Sequence, residues 1–479
     1  MRMLAWVLGI ILVTNGEALA QQTLDSAEVR RDTLDSRILH VDRVFILGNK
    51  VTRERIIERE LSLKPGDSIR ASELQGTLLW DKNKLYNLRL FNTVSVRALE
   101  LGNNHIDLLV ELTERWYIFP VPIFELSDRN FNEWWNNYNH DLTRINYGIR
   151  VYKNNFRGRN ESLRFTAQFG FNRKFDLQYK IPNLDRKQKQ GLTFNFDFGA
   201  PRNMSYQTLD HRLLFLRKES VVRESAGAGV TYTYRKTFFE THAFSLSYRN
   251  ASVIDTVLQL NPIYYNNSKT RQRYFQLSYY FVSEHRDVVM YPLKGYQLTG
   301  YVSKTGLLPD DDVSQLEANI TYSTHHQIGK NLYLSNFSSL FWSAPRNQPY
   351  TLFEALGYRN LIVRGFENYV IEGPSSAVNK TTLKKKIFGK SWTIDQMPLE
   401  QFNYFPLAIY VKLFADIGYI ENYPYYQERS LNTRLSNQLL AGAGGGLDFV
   451  TVYDLVIRME YTFTQDGQRG FFLNMKKEF

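Results

Sequence analysis

Beyond residue 115 the chain reads as short runs in which apolar and polar side chains alternate with a period of two. That spacing sends successive residues to opposite faces of a strand. Leu192, Phe194, Phe196 and Phe198 alternate with Thr193, Asn195 and Asp197. Leu407, Ile409, Val411 and Leu413 alternate with Ala408, Tyr410 and Lys412, and Leu455, Ile457, Met459, Tyr461 and Phe463 with Val456, Arg458 and Glu460. No convincing helical period interrupts them. The last run places Phe471, Leu473, Met475 and Phe479 in one register, with Lys477 breaking the apolar side.

Residues 39–114 follow a different pattern: strand, helix, helix, strand, strand. Val41–Leu47 reads as a strand closed by the turn signal Gly48-Asn49. Thr52 is placed to cap a short helix running to about Leu61, stopped by Lys64-Pro65-Gly66-Asp67. Ser72 with Gln75 has the spacing of a capping box and opens a helix with Leu74, Leu78 and Leu85 on one side. Val94 and Val96 mark a strand, Gly102-Asn103-Asn104 a turn, and Ile106, Leu108, Val110 and Leu112 an alternating strand.

The ends and the composition turn these elements into a class. Arg2, the eleven-residue apolar run Met3–Val13 and the small residues of Ala18-Leu19-Ala20 read as a signal peptide over 1–20, with a polar linker over 21–38. The run is too short for a membrane-crossing helix, which needs about 20 residues, and no later window supplies one. There is no cysteine, which removes disulfides, thiolate metal sites and a lipidated cysteine. Aromatic residues make up 15% of the chain, with 31 Tyr and 32 Phe. A soluble β-sandwich explains the alternation but not this load; a transmembrane barrel, with its aromatic girdles, explains both. The net charge of +11 is scattered, and its densest run, Lys384-Lys385-Lys386, lies in a predicted strand. It is therefore read as lumen and loop charge, not a nucleic-acid surface.

The expected fold is mainly β: a 16-stranded antiparallel transmembrane barrel over 115–479, preceded by one small α+β (βααββ) domain. Sixteen strands follow if 206–218 extends the fifth; counted separately it gives seventeen, against the even numbers of bacterial single-chain barrels. Tight turns at Tyr234-Arg235-Lys236 and Gly329-Lys330-Asn331 fall on one side, and the longer polar segments 251–269, 344–377 and 419–436 on the other.

The order of elements in 39–114 resembles a POTRA domain. The resemblance is carried by Gly48-Asn49, Pro65-Gly66-Asp67 and above all Leu85-Tyr86-Asn87-Leu88-Arg89-Leu90-Phe91 leading into Val94-Ser95-Val96. Within 344–377, Val363-Arg364-Gly365-Phe366 followed by Glu367 resembles the in-folding loop motif of the BamA/TamA superfamily of outer-membrane assembly barrels. It stands between the expected eleventh and twelfth strands. Asp416, in Phe414-Ala415-Asp416-Ile417-Gly418 of the thirteenth, has the parity opposite to Leu407–Leu413 and so points into the lumen. Arg364 and Asp416 either pair as a latch through two parallel hydrogen bonds or stay as separately solvated charges; the resemblance favours the pair. In one respect the chain departs from the family. The run Asn379–Lys384 lacks the acidic residue that often joins the latch, so either the latch is simpler here or Glu367 or Glu372 substitutes.

The resemblance implies an outer-membrane location, a periplasmic N-terminal domain and insertion of unfolded barrel clients, with periplasmic chaperones and accessory lipoproteins as further partners and lipid around the wall. Val94, Ser95, Val96 and Arg97 are the expected site of client or chaperone strand addition at a sheet edge. The alternative there is an edge covered by the linker or left exposed. A lateral seam is expected between the first strand, with Pro120, Pro122, Ile123 and Phe124, and the last, with Phe471, Leu473, Met475 and Phe479. The prolines suit an edge strand, unless they belong to the linker that precedes it.

No enzyme chemistry is expected. His325-His326 would face opposite sides of a strand, the glycines Gly442, Gly444, Gly445 and Gly446 lie in a strand and not in a phosphate loop, and no GxSxG motif occurs. Neither a cofactor nor a metal is expected. The competing function is a secretion conduit of two-partner type. The single POTRA-like unit does not decide between them; the absence of an amphipathic plug-helix pattern in 21–38 favours assembly.

Overall fold

The computed structural model describes residues 37–126, 142, 145–265, 269–357, 361–394, 401, 403–451, 453 and 455–476. The signal-peptide reading, the linker reading over 21–36 and Phe479 lie outside the described residues. Two compact units are present. One contains the residues up to Leu47 with Leu61–Lys82 and Ser95–Val110; the other contains Gly48–Glu60, Asn83–Val94 and everything from Glu111.

The N-terminal elements are β1 (Ile38–Leu47), α1 (Glu54–Glu58), a three-residue β2 (Ser68–Arg70), α2 (Ala71–Asn87), β3 (Phe91–Gly102) and β4 (His105–Glu114). They form a sheet of order β2-β1-β4-β3, so β3 is an edge strand. Leu39 and Val41 of β1, Leu74 and Leu78 of α2, and Ile106 and Leu108 of β4 meet in one buried cluster. The period of two and the i, i+4 pair thus converge on one core, and each such aliphatic contributes about 1.5–3 kcal/mol relative to exposure. Gly48 has φ +92°, and a Cβ there would overlap the carbonyl of Leu112. Only glycine fits that turn.

Two capping expectations are corrected. The N-cap of α1 is Arg53, without a side-chain bond. The Thr52 hydroxyl instead donates to the buried Glu114 carboxylate, which also accepts the Thr52 and Val51 amides. A carboxylate outcompetes an amide end for that hydroxyl because charge-assisted bonds are the stronger ones. α2 starts at Ala71, one residue before Ser72, because β2 runs straight into it.

The second unit is a sixteen-stranded antiparallel sheet. Its strands are β5 (Ile118–Leu126), β6 (Ile145–Phe156), β7 (Glu161–Gly170), β8 (Arg173–Ile181), β9 (Gln190–Ala200), β12 (Arg223–Arg235), β13 (Glu240–Val253), β14 (Arg271–Glu284), β15 (Gly295–Thr305), β16 (Gln315–Gly329), β17 (Leu332–Ala344), β20 (Ser375–Thr393), β21 (Tyr404–Glu421), β22 (Leu439–Val450), β23 (Val456–Thr464) and β24 (Arg469–Lys476). The strand total agrees with expectation, but 206–218 does not extend the fifth strand. β9 ends at Ala200, and β10 (Asn203–Leu209) with β11 (Arg212–Arg217) forms a hairpin paired only with itself. Its tip residues Asp210 and His211 have positive φ, which turns the chain back at once.

Short turns such as 236–239 and 330–331 lie at one end of the sheet, here the turn end. The hairpin, α3 (Asp255–Leu260), β18 (Ala355–Leu356), β19 (Ile371–Glu372) and α4 (Pro424–Glu428) belong to the long connections at the other, the loop end. These two short helices were not legible from periodicity, since each is under two turns long. Apolar side chains of one parity face outward: Phe194 and Phe196 are both 48% exposed and Leu413 63%. Large exposed apolar surface of this extent, around strands whose other face is polar, is the pattern of a wall against lipid. The wall curls round on itself. At the turn end, Phe119 of β5 packs edge-on against Tyr453 in the β22–β23 turn, at 5.8 Å between ring centres, and the Trp116 amide reaches the Tyr453 hydroxyl at 3.3 Å.

Candidate functional site: the luminal latch and the seam

The inward face of β21 is set by the parity that puts Val411 and Leu413 outside. Lys412, Phe414 and Asp416 are therefore buried within the lumen. The loop between the eleventh strand, β17, and the twelfth, β20, dips to meet them. Arg364 donates from Nε to Asp416 Oδ2 at 2.8 Å and from Nη2 to Oδ1 at 2.5 Å, and its backbone N–H donates to Oδ2 at 3.1 Å. Its guanidinium lies 3.9 Å from the Phe414 ring centre. Thr382 of β20 accepts a further bond from Nη2 at 3.0 Å. Val363 and Phe366 are buried in an apolar cluster with Ile371, Ile420, Leu435 and Leu440. Gly365, at φ +100°, leaves room for Thr464, and a Cβ at Gly442 of β22 would overlap the Arg364 carbonyl. Gly442 thus admits the loop, while Gly444 and Gly446 allow close approach of the β23 backbone.

The third member of the latch is neither Glu367 nor Glu372. Glu460 of β23 approaches Arg364 Nη1 at 3.5 Å. Glu367 accepts the Gly365 amide at 2.7 Å, and Glu372 faces elsewhere. The reason is geometric: β20 presents Lys380 opposite Asp416, so the acidic partner comes from two strands further round. Glu460 also takes Lys412 at 2.8 Å, Lys412 pairs with Asp448, and Asp448 accepts the Tyr291 hydroxyl at 2.8 Å. One chain of charges therefore links the loop to the β14–β15 turn at the opposite end. Lys412 and Glu460 were visible in the alternation as the polar partners of an apolar register, but their pairing depends on strands that sequence alone does not align. His325 is buried and His326 exposed, on opposite faces as expected.

The hairpin keys the loop end. The His211 amide donates to Asn432 Oδ1 at 3.0 Å, the Asn432 side chain donates to the Thr208 carbonyl at 2.9 Å, and the Leu435 amide donates to His211 Nε2 at 2.9 Å. The Val370 amide donates to the His211 carbonyl at 2.8 Å. Glu372 accepts the hydroxyls of Thr208 at 2.8 Å and Tyr426 at 2.6 Å. Burial pushes its carboxyl up to about 7, against these two donors. Hairpin, β17–β20 loop and β21–β22 segment are thereby fastened to one another by buried bonds.

The residues expected at the seam occupy the two ends of the sheet: Pro120, Pro122, Ile123 and Phe124 in β5, and Phe471, Leu473 and Met475 in β24. Among the described residues no ladder joins these strands. The Asn154 amide donates to the Tyr117 carbonyl at 2.7 Å, and Ile118 stands opposite Lys153 in the ladder. Odd residues of β5 thus exchange bonds with β6, because hydrogen-bonded and non-hydrogen-bonded pairs alternate. The even residues turn their amide side to the outer edge. Pro120 and Pro122 are both even, so two N–H donors are missing from that edge. Val94, Ser95, Val96 and Arg97 lie in β3, the sheet edge of the N-terminal elements.

Residues 39–115 match the surface antigen variable number repeat of the POTRA type, and residues 155–479 match the Omp85 superfamily domain. No curated protein matches the chain. Among solved structures, BamA from Haemophilus ducreyi lacking POTRA domains 1–3 is similar at 15% identity and a TM-score of 0.52, over 91% of this chain and 84% of that one. CdiB from Escherichia coli is similar at 11% identity and a TM-score of 0.50, over 93% and 80%. Omp85 barrels with a POTRA domain are outer-membrane proteins. The superfamily match runs through most of the sixteen-stranded wall and both halves of the Arg364–Asp416 clamp, and the chain belongs to the Omp85 superfamily.

Proposed function

We propose that this protein inserts other β-barrel chains into the outer membrane, receiving unfolded clients on the periplasmic side at its turn end and releasing them sideways between β5 and β24. The observation that carries this reading is the outer edge of β5, stripped of two amide donors by Pro120 and Pro122. Two fewer hydrogen bonds can form across this seam than across one of equal length between proline-free strands, which lowers the cost of parting the wall there. An opened edge offers main-chain groups to a client strand with little sequence demand. A secretion conduit of two-partner type would instead need a clear axial path. The clamped β17–β20 loop and the keyed loop end favour the lateral route. Unfolded outer-membrane proteins, periplasmic chaperones and accessory lipoproteins are the partners of this reading; none of its steps needs a catalytic group. Depleting the protein and quantifying the outer-membrane proteome tests it: many barrel proteins should fall together. Loss of a single secreted product with the barrels unchanged would overturn it in favour of the conduit.

Recruitment belongs to the same proposal. β3 is an edge strand, and an edge takes an added strand through its backbone. Ser95→Pro removes one amide there. It should cut crosslinking of an extended client to the N-terminal domain while circular dichroism still shows that domain folded. Crosslinking at the wild-type level would show that β3 does not receive clients.

A further inference from the structure

Where β12, β13 and β14 reach the loop end, the structure holds a cation without a counter-charge. Arg223 stands opposite Val253 in the ladder, and Ser225, Ala251 and Gln272 form the next row across the three strands on the same inward face. Tyr264 and Tyr265, in the segment after α3, close over this face and pack with Ala251, Val253 and Tyr350. Gln272 is tied into the same place, because Thr351 donates to its Oε1 at 3.2 Å and the Thr351 amide reaches the Tyr264 carbonyl. The groups facing the Arg223 guanidinium are the phenols of Tyr264, Tyr265 and Tyr274.

Three donors remain unsatisfied here. The Nε of Arg223, the hydroxyl of Tyr265 and the Nε2 of Gln272 are buried and have no hydrogen-bond partner of good geometry; the Tyr265 phenol stands beside the guanidinium. Tyr265 is 1% exposed and Gln272 3%. Among the described residues Arg223 has no ion-pair partner, and the carboxylates near Tyr274 are engaged. Asp197 holds Arg249 at 3.2 Å, and Glu317 accepts Tyr301 and Ser303, each at 3.1 Å. Three buried donors without acceptors, one of them on a guanidinium that has no ion-pair partner, are costly. Water could accept from the donors but would leave the charge uncompensated.

We propose that Arg223, Tyr265 and Gln272 form a binding site for a small inorganic anion of the halide class, which pins the segment after α3 to the inner wall. A single anion supplies both the missing charge and the missing acceptor. The near-complete burial of Tyr265 and Gln272 excludes an acidic group carried on a macromolecule.

The probe is bromide on the full-length protein refolded in detergent, compared with chloride and gluconate at equal ionic strength. Anomalous diffraction should place bromide within hydrogen-bond distance of Arg223 Nε, Tyr265 Oη and Gln272 Nε2. The unfolding midpoint should rise with bromide or chloride over gluconate, as for a ligand that binds only the folded state. Arg223→Met tests the charge but risks misfolding. Tyr265→Phe keeps the packing and removes one donor to an anion, so it should weaken halide affinity about tenfold. A water without anomalous signal at this position, together with a midpoint indifferent to halide in wild type, would overturn the proposal.

Discussion

Arg364→Ala is expected to cost about 3 kcal/mol of stability, in the range for a buried ion pair deprived of one partner, and to lower client insertion with it. The substitution strands Asp416, whose side chain is fully buried, and removes three side-chain hydrogen bonds together with the contact to Phe414. Lys380, across the ladder from Asp416, supplies partial compensation and keeps the cost from being larger. The β17–β20 loop should become sensitive to protease at the loop end, because Val363 and Phe366 lose the anchor between them. The midpoint of heat unfolding, followed by the folded-to-unfolded gel shift, and the protease half-life of the loop are the measurements. The exchange Arg364→Asp with Asp416→Arg should recover only part of the loss: it sets the new carboxylate beside Glu460 and the new guanidinium beside Lys380. Wild-type stability and insertion in Arg364→Ala would remove the latch from the account.

Locking the seam should abolish insertion altogether. The chain has no cysteine, so an introduced pair can oxidise only with itself. Phe124 is 77% exposed and Phe471 64%; both lie on the outward face, where facing thiols can satisfy disulfide geometry. Phe124→Cys combined with Phe471→Cys or with Leu473→Cys tests two registers of β24. Insertion of a barrel client into proteoliposomes should fall in proportion to the oxidised fraction and return on reduction. A fully oxidised barrel that still inserts clients would exclude lateral opening while leaving the latch untouched. The same pair distinguishes routes, because a polypeptide leaving along the axis has no need of this edge.

Much of this architecture is legible in the sequence, because its determinants are local. Alternation of the kind seen from Leu407 to Leu413 states which residues of a strand share a face, and parity then places Asp416 inside whatever the neighbours are. Leu74, Leu78, Ile106 and Leu108 likewise announce a core by spacing alone. What failed was also local, at positions where a distant partner outbid a nearby one. Thr52 has the chemistry of a cap, but Glu114, 62 residues away, accepts its hydroxyl. The 206–218 segment has a strand's composition and by pattern extends the fifth strand, whereas positive φ at Asp210 and His211 folds it into a hairpin.

The strand period, the POTRA-like order and the inward parity of Asp416 were determined by the sequence itself, since each depends on a residue's spacing from its near neighbours; the count of sixteen also needed the rule that such barrels have even strand numbers. The choice of Glu460 over Glu367 and Glu372, the run of charges from Arg364 to Tyr291 and the keying of His211 to Leu435 were decided only by tertiary structure. Those contacts join residues 96, 73 and 224 positions apart, and ladder register and barrel curvature, not spacing, bring them within bonding distance.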